Sequence, residues 1–304
     1  LCCKNTITPF LNYQKYEKRA SEHTLRAYQS DLSHFYNFLI TTKIIESEES
    51  NMIDITTDHI RAWIFDLVEN EKNTAKSINR KLSSLKAFFR YHLKMGTLNE
   101  DPMLSITSQK VPKRVPQYVE MDDMNKLFQL ELFEDNFEGW RDRTIIELFY
   151  ATGMRLSELL GLTFGDFDLY SQNVKVLGKR NKERIIPFGN QAKATLEKYF
   201  SVFVQKFGEM SQNSCIFVTS KNNKLNPKSV YKIVRRYLEM ITTIDKRSPH
   251  IIRHTFATHL LNNGADINAI KEILGHSSLA ATQIYTHNSI EKLKSIYQQA
   301  HPRA

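Results

Sequence analysis

Apolar residues in the first third of the chain recur at steps of three and four. Leu25, Tyr28, Leu32, Phe35, Tyr36 and Leu39 share one face of a predicted helix that Ser21 can cap. Asp58 precedes a shorter helix carrying Ile60, Trp63, Ile64, Leu67 and Val68. A third is predicted from about Thr74 to Met95, with Ile78, Leu82, Leu85, Phe88 and Leu93 inward and Gly96 as its stop. Its outer face carries Lys76, Arg80, Lys81, Lys86, Arg90 and Lys94, a run that suits either water or phosphates.

This pattern breaks at Asp101-Pro102 and then at Ser108-Gln109-Lys110-Val111-Pro112-Lys113-Arg114-Val115-Pro116. Prolines, cations and an absence of apolar periodicity mark an extended linker over residues 108–117. It separates a helical domain (1–107) from a mixed domain (118–304). In the second, Asp142 to Ala151 is apolar and helical, and Gly153 ends it. Val174 to Leu177 and Arg184 to Pro187 read as two strands of a hairpin with Gly178 to Glu183 as a basic tip, and Ile216 to Val218 as a short strand. Asn226-Pro227 starts a helix that buries Val230, Ile233, Val234 and Tyr237 and presents Lys228, Lys232, Arg235 and Arg236 on its other face. From Pro249 the chain is helical again, interrupted at Gly264 and Gly275. The expected fold class is mainly α with a small antiparallel β-sheet in the second domain.

Charge changes the picture by pointing to a partner. The 304 residues carry 42 Lys and Arg against 33 Asp and Glu, a formal net charge of +9, and such a surplus most often serves attraction to nucleic acid. Three cysteines, Cys2, Cys3 and Cys215, have no metal or disulfide spacing, as expected for a reducing cytosol. No run of about eighteen apolar residues predicts a membrane span, and the opening Leu1-Cys2-Cys3-Lys4-Asn5 lacks the apolar core of a signal peptide.

The candidate chemistry lies in a scattered set: Arg155, Lys179, His250, Arg253, His276 and Tyr285. Taken singly each has an ordinary reading, Arg155 as a helix-start residue paired to a carboxylate and Tyr285 as a packed aromatic. Together they contain no carboxylate cluster fit for magnesium and no glycine-rich phosphate loop. Two guanidiniums can clamp the non-bridging oxygens of a phosphoryl transition state. A tyrosine hydroxyl can act as nucleophile and a lysine can protonate a leaving alkoxide. The set fits transesterification of a phosphodiester without a metal or other cofactor.

Five segments carry a resemblance. Ala151-Thr152-Gly153-Met154-Arg155-Leu156-Ser157-Glu158-Leu159, Gly178-Lys179-Arg180-Asn181-Lys182-Glu183-Arg184, His250-Ile251-Ile252-Arg253-His254, Leu274-Gly275-His276 and Ile284-Tyr285-Thr286-His287 occur in this order. Glu22 to Tyr28 and the ending Gln298 to Ala304 fit the same pattern. The chain resembles the tyrosine recombinase (phage integrase) family, most closely its bacterial Xer branch (XerC and XerD), over nearly its whole length. Arg180 stands where the branch often has glycine.

The resemblance implies a C-shaped clamp on DNA, with a SAM-like N-terminal domain and a catalytic C-terminal one. It implies that Tyr285 attacks the scissile phosphate to give a 3′-phosphotyrosyl bond, and that Arg155 and Arg253 hold the phosphate oxygens. Lys179 would protonate the leaving 5′-oxygen, with Lys182 as the competing lysine. His250 would assist proton transfer and His276 would position the phosphate, while His254, His259 and His287 have supporting places. Implied partners are double-stranded DNA at a specific site, a tetrameric synaptic complex passing through a Holliday junction, a paralogous recombinase and an FtsK-type translocase. The implied duty is resolution of chromosome dimers, in the cytoplasm on the nucleoid. Other readings are a mobile-element integrase with the same chemistry, a type IB topoisomerase-like enzyme and a non-catalytic DNA-binding regulator. The stripe Ile290, Leu293 and Ile296 after Tyr285 suits docking either on its own domain or, as the family implies, on a neighbour.

Overall fold

Side-chain caps set where the N-terminal helices begin. The computed structural model describes residues 3–45, 55–112, 116–129, 132–178, 182–209, 211–275 and 287–304. The chain divides into two compact units, Leu1–Arg114 and Val115–Ala304. In the first, α1 (Cys3–Asn12) runs into a π-helical turn (Tyr13–Glu17) that the sequence pattern does not announce. Helix α2 (Glu22–Thr41) starts where Ser21 Oγ accepts from the Thr24 amide at 3.2 Å. Helix α3 (Thr57–Glu69) includes Asp58, which was expected to precede it, because Thr56 is its cap residue and its amide donates to His59 Nδ1. Helix α4 (Ala75–Lys94) is capped by Thr74, which accepts from the Ser77 amide.

The apolar faces of these helices meet around Trp63, which is fully buried, 4.9 Å from the Phe35 ring. Phe10, Leu32, Leu39, Ile60, Leu67, Leu85, Phe88 and Phe89 complete this core, and burying each such side chain contributes ~1.5–3 kcal/mol. Two of the cations on α4 serve the fold. Arg80 donates to the buried Asp31, which also accepts from Ser84 Oγ at 2.7 Å. Lys81 lies over the Trp63 ring at 5.7 Å, and burial lowers its pKa. Lys76, Lys86, Arg90 and Lys94 remain exposed.

The second unit is built around α6 (Phe137–Thr152), capped by Asn136. This helix is apolar nearly all round because Ile145, Ile146, Leu148, Phe149 and Tyr150 are all buried. Helices α5 (Met121–Gln129) and α7 (Leu156–Gly161) precede and follow it in the chain. A three-stranded antiparallel sheet follows, in the order β1 (Phe167–Asp168), β2 (Asn173–Leu177) and β3 (Glu183–Pro187). Val174 faces Ile186 and Val176 faces Arg184 across the ladder. Helices α8 (Asn190–Phe207), α9 (Pro227–Ile241), α10 (Pro249–Asn262) and α11 (Ile267–Leu274) complete the core.

Ile216 to Val218 does not form the strand expected of it. Among the described residues it has isolated bridges in place of a ladder, Thr163 with Cys215 just before it and Val218 with Lys224 at its end. Its polar backbone is satisfied another way: Tyr199 Oη donates to the Ile216 carbonyl at 2.6 Å and the Leu225 amide to that of Phe217. The last helix, α12 (His287–Ala300), packs on its own unit, with Leu293 and Tyr297 buried in that core. The chain after it is held too. Arg303 donates to both oxygens of the buried Glu147 at 2.9 Å, and burial pushes the His301 pKa down to about 3, leaving it neutral. Among the described residues no helix is long and apolar enough to cross a membrane.

Candidate active site

The last carbonyls of a helix lack intrahelical partners and carry the negative end of its dipole. At the end of α11 three arginines take them in turn. Arg184 Nε donates to the Ile273 carbonyl at 2.9 Å, Arg253 Nη2 to Leu274 at 2.8 Å and Arg155 Nη2 to Gly275 at 3.0 Å. The arginines come from three different elements: the start of α7, strand β3 and helix α10. The turn that gathers them is the chain leading directly into His276.

Two glycines make the gathering possible. Gly275 has φ +63°, and a Cβ there would stand 3.2 Å from three atoms of the Arg184 side chain. Gly153 closes α6 with φ +59°, and a Cβ there would lie 2.4 Å from Phe256 Cδ1. The turned Gly153 carbonyl accepts the second bond from Arg253, through Nη1. Arg253 and Arg155 are thus brought to one place, the end of α11. His250 sits on α10 one turn from Arg253, on the same helix face, with its ring exposed. His259, on the same helix, is buried against the Tyr150 hydroxyl at 2.9 Å, a packing role. Lys179, His276 and Tyr285 lie outside the described residues.

A carboxylate that the sequence reading did not weigh holds the cluster. Glu158 Oε1 accepts from Arg155 Nη1 at 2.8 Å and from Arg184 Nη1 at 2.7 Å. Its Oε2 accepts from the Arg155 amide at 2.7 Å and from Arg184 Nη2 at 2.8 Å. Burial alone would raise the Glu158 pKa, but the bonds and charge of Arg184, joined by those of Arg155, bring it down to about 2. Burial, then the neighbouring charge of Arg155, pulls Arg253 down to about 10, so it stays a cation at neutral pH. Three guanidiniums against one carboxylate leave an excess of positive charge. Such a place suits an anion of phosphodiester type. A signal for both missed residues was present: Glu158 is three residues from Arg155 on a helix start, and Arg184 is a charge on the inward register of a strand, which requires a partner.

The depressed Glu158 pKa has a stability consequence. A carboxylate whose folded pKa is below its ordinary 4.5 stabilises the fold above pH 4.5, and that contribution is lost as pH falls through about 2. Glu158→Gln is therefore expected to destabilise the protein by ~3–5 kcal/mol at neutral pH, the cost of breaking a buried pair. The deficit should shrink as pH falls from 4.5 toward 2. Urea unfolding of both proteins over a pH series measures this, and a deficit independent of pH would count against the ion pair as its cause.

Comparison with known proteins shows the family. Residues 117–292 match the phage integrase family, and residues 7–96 match the phage integrase N-terminal SAM-like domain. The chain is 39% identical to the tyrosine recombinase XerC of Thermodesulfovibrio yellowstonii over 97% of this chain and 96% of that protein. It is 36% identical to the tyrosine recombinase XerC of Listeria innocua over 97% of each. In fold it resembles the XerH site-specific recombinase bound to its difH substrate in a pre-cleavage complex, with a TM-score of 0.67 and 21% identity over 96% of this chain and 84% of that one. A lambda integrase tetramer bound to a Holliday junction gives a TM-score of 0.66 and 17% identity over 94% of this chain and 81% of that one.

Proposed function

The chain belongs to the phage integrase family, and from that premise we propose that it is a Xer-like tyrosine recombinase whose cleavage centre is the arginine cluster at the end of α11. Site-specific recombination of DNA is its activity; the residue roles proposed are those the family resemblance implies. Tyr285 Oη bonds to the scissile phosphorus as the bond to the 5′-oxygen breaks. His250 takes part in moving the tyrosine proton, and Lys179 returns one to the leaving 5′-oxygen. Arg155 and Arg253 bind the non-bridging oxygens, whose charge rises in the transition state, and His276 donates a further bond. The phosphotyrosyl ester keeps the bond energy, so attack by a 5′-hydroxyl of a second duplex reseals the strand and leaves a Holliday junction.

The observation that carries this reading is the convergence of Arg155 and Arg253, with net positive charge, on the turn preceding His276. Two rounds of exchange between two duplexes call for four protomers. The XerC names of the relatives favour a chromosomal duty, resolution of dimers, with a paralogous recombinase and an FtsK-type translocase as partners and the nucleoid as the place of work.

The test is direct. Wild-type protein is mixed with nicked duplexes drawn from a randomised pool, and covalent complexes are isolated on a denaturing gel, sequenced and mapped by proteolysis. The expected result is one enriched site and a 3′-linked tyrosyl peptide containing Tyr285. Tight DNA binding without any adduct would reverse the reading in favour of a DNA-binding regulator.

A further inference from the structure

Arg184 lies in the hairpin strand β3, and its side chain is 6% exposed. A buried guanidinium is costly, and an ion pair in such a place stabilises a fold no better than well-packed apolar residues. The ladder offers an apolar alternative, since Arg184 faces Val176 and is followed by Ile185 and Ile186. What the arginine adds is geometry. Its planar fork spans both oxygens of Glu158 while Nε reaches the Ile273 carbonyl, a pattern that neither lysine nor glutamine can make.

Each of those contacts leads to a different part of the cleavage centre. Glu158, fixed between two guanidiniums, sets the side chain and amide of Arg155. The Ile273 carbonyl belongs to the turn that also carries the Leu274 and Gly275 anchors of Arg253 and Arg155. Gly275 packs directly on the Arg184 side chain. Strand β3 itself continues from the segment that contains Lys179.

We infer that Arg184 is a positioning residue for DNA cleavage, a buried tie that holds Arg155, through Glu158, in register with the turn before His276. The inference rests on the proposed cleavage centre. Arg184 touches no substrate; it acts through Arg155 and the turn.

The experiment uses full-length protein and the nicked duplex selected by the wild type, with two scissile linkages: the natural phosphodiester and a methylphosphonate, which carries no charge to clamp. Arg184→Gln is expected to form the adduct about 100-fold more slowly on the phosphodiester, the usual penalty of a displaced catalytic group, with DNA binding unchanged. Arg184→Lys should show a similar loss, because charge without the fork does not orient Glu158. On the methylphosphonate the loss should be much smaller, since the transition state asks less of Arg155. Cleavage by Arg184→Gln at the wild-type rate overturns the inference. So does an equal loss on both linkages or a parallel loss of DNA binding, either of which makes Arg184 a structural residue only. Absence of any wild-type adduct overturns the cleavage reading itself, and this is seen before a variant is compared.

Discussion

Tyr285→Phe is expected to form no covalent complex with the selected duplex, a loss of roughly 10⁴-fold or more, while binding that duplex as the wild type does. The substitution removes one oxygen and leaves the ring. The chain has 13 tyrosines, so a surrogate nucleophile must be considered. Four in the second unit are buried and unsuited. Tyr150 is bonded to His259 and Tyr199 donates to the Ile216 carbonyl. Burial raises the pKa of both, and of Tyr237 and Tyr297, which opposes the charge a phenolic nucleophile develops. A denaturing gel for the adduct and fluorescence anisotropy for binding separate the two effects. An adduct that persists in the variant would move the nucleophile to another residue.

Arg253→Lys is expected to slow adduct formation by about 10²–10³-fold, the scale for losing a preorganised transition-state donor. The guanidinium donates to the Gly153 and Leu274 carbonyls at once and still presents a face of charge to an anion; an ammonium cannot hold both. The protonation state matters as well. The surroundings that bring Arg253 down to about 10 leave it charged at neutral pH. A lysine starts from about 10.4 and would fall toward neutral pH in the same place. The variant should therefore lose further activity as pH rises through the neutral range, where the wild type retains its charge. Adduct rates measured across that range decide it: a wild-type rate in the variant, or a pH profile identical to the wild type, would remove Arg253 from the clamp.

Helices with one wet face were legible from spacing alone. Ser21, Thr74 and Asn226 act as caps, and the buried faces of α2, α4 and α9 are those the steps of three and four indicate. Helix α6 shows as an apolar run without a period, because it is buried on all sides. The apolar triplet Ile216 to Val218 misleads since hydrophobicity reports burial, and here burial comes without a ladder. At the site the family resemblance points to Arg155 and Arg253, while the means of holding them together has no sign in the local sequence. Arg184 and Glu158 are separated by 26 positions and Arg184 and Ile273 by 89. No local pattern links them, and only the packing of β3 against the end of α11 brings them together.

The anchors of the three arginines are mostly main chain: the carbonyls of Gly153, Ile273, Leu274 and Gly275. A carbonyl is present whatever the codon encodes, so most replacements at Ile273 or Leu274 would leave the anchor in place so long as α11 still packs. Sequence drift in this region can therefore proceed while the clamp survives. The exceptions are the two glycines, where a side chain of any kind would meet Phe256 or Arg184. Heritable failure of the clamp should concentrate at Gly153, Glu158 and Gly275, and spare Ile273 and Leu274, whose carbonyls hold the arginines whatever their side chains.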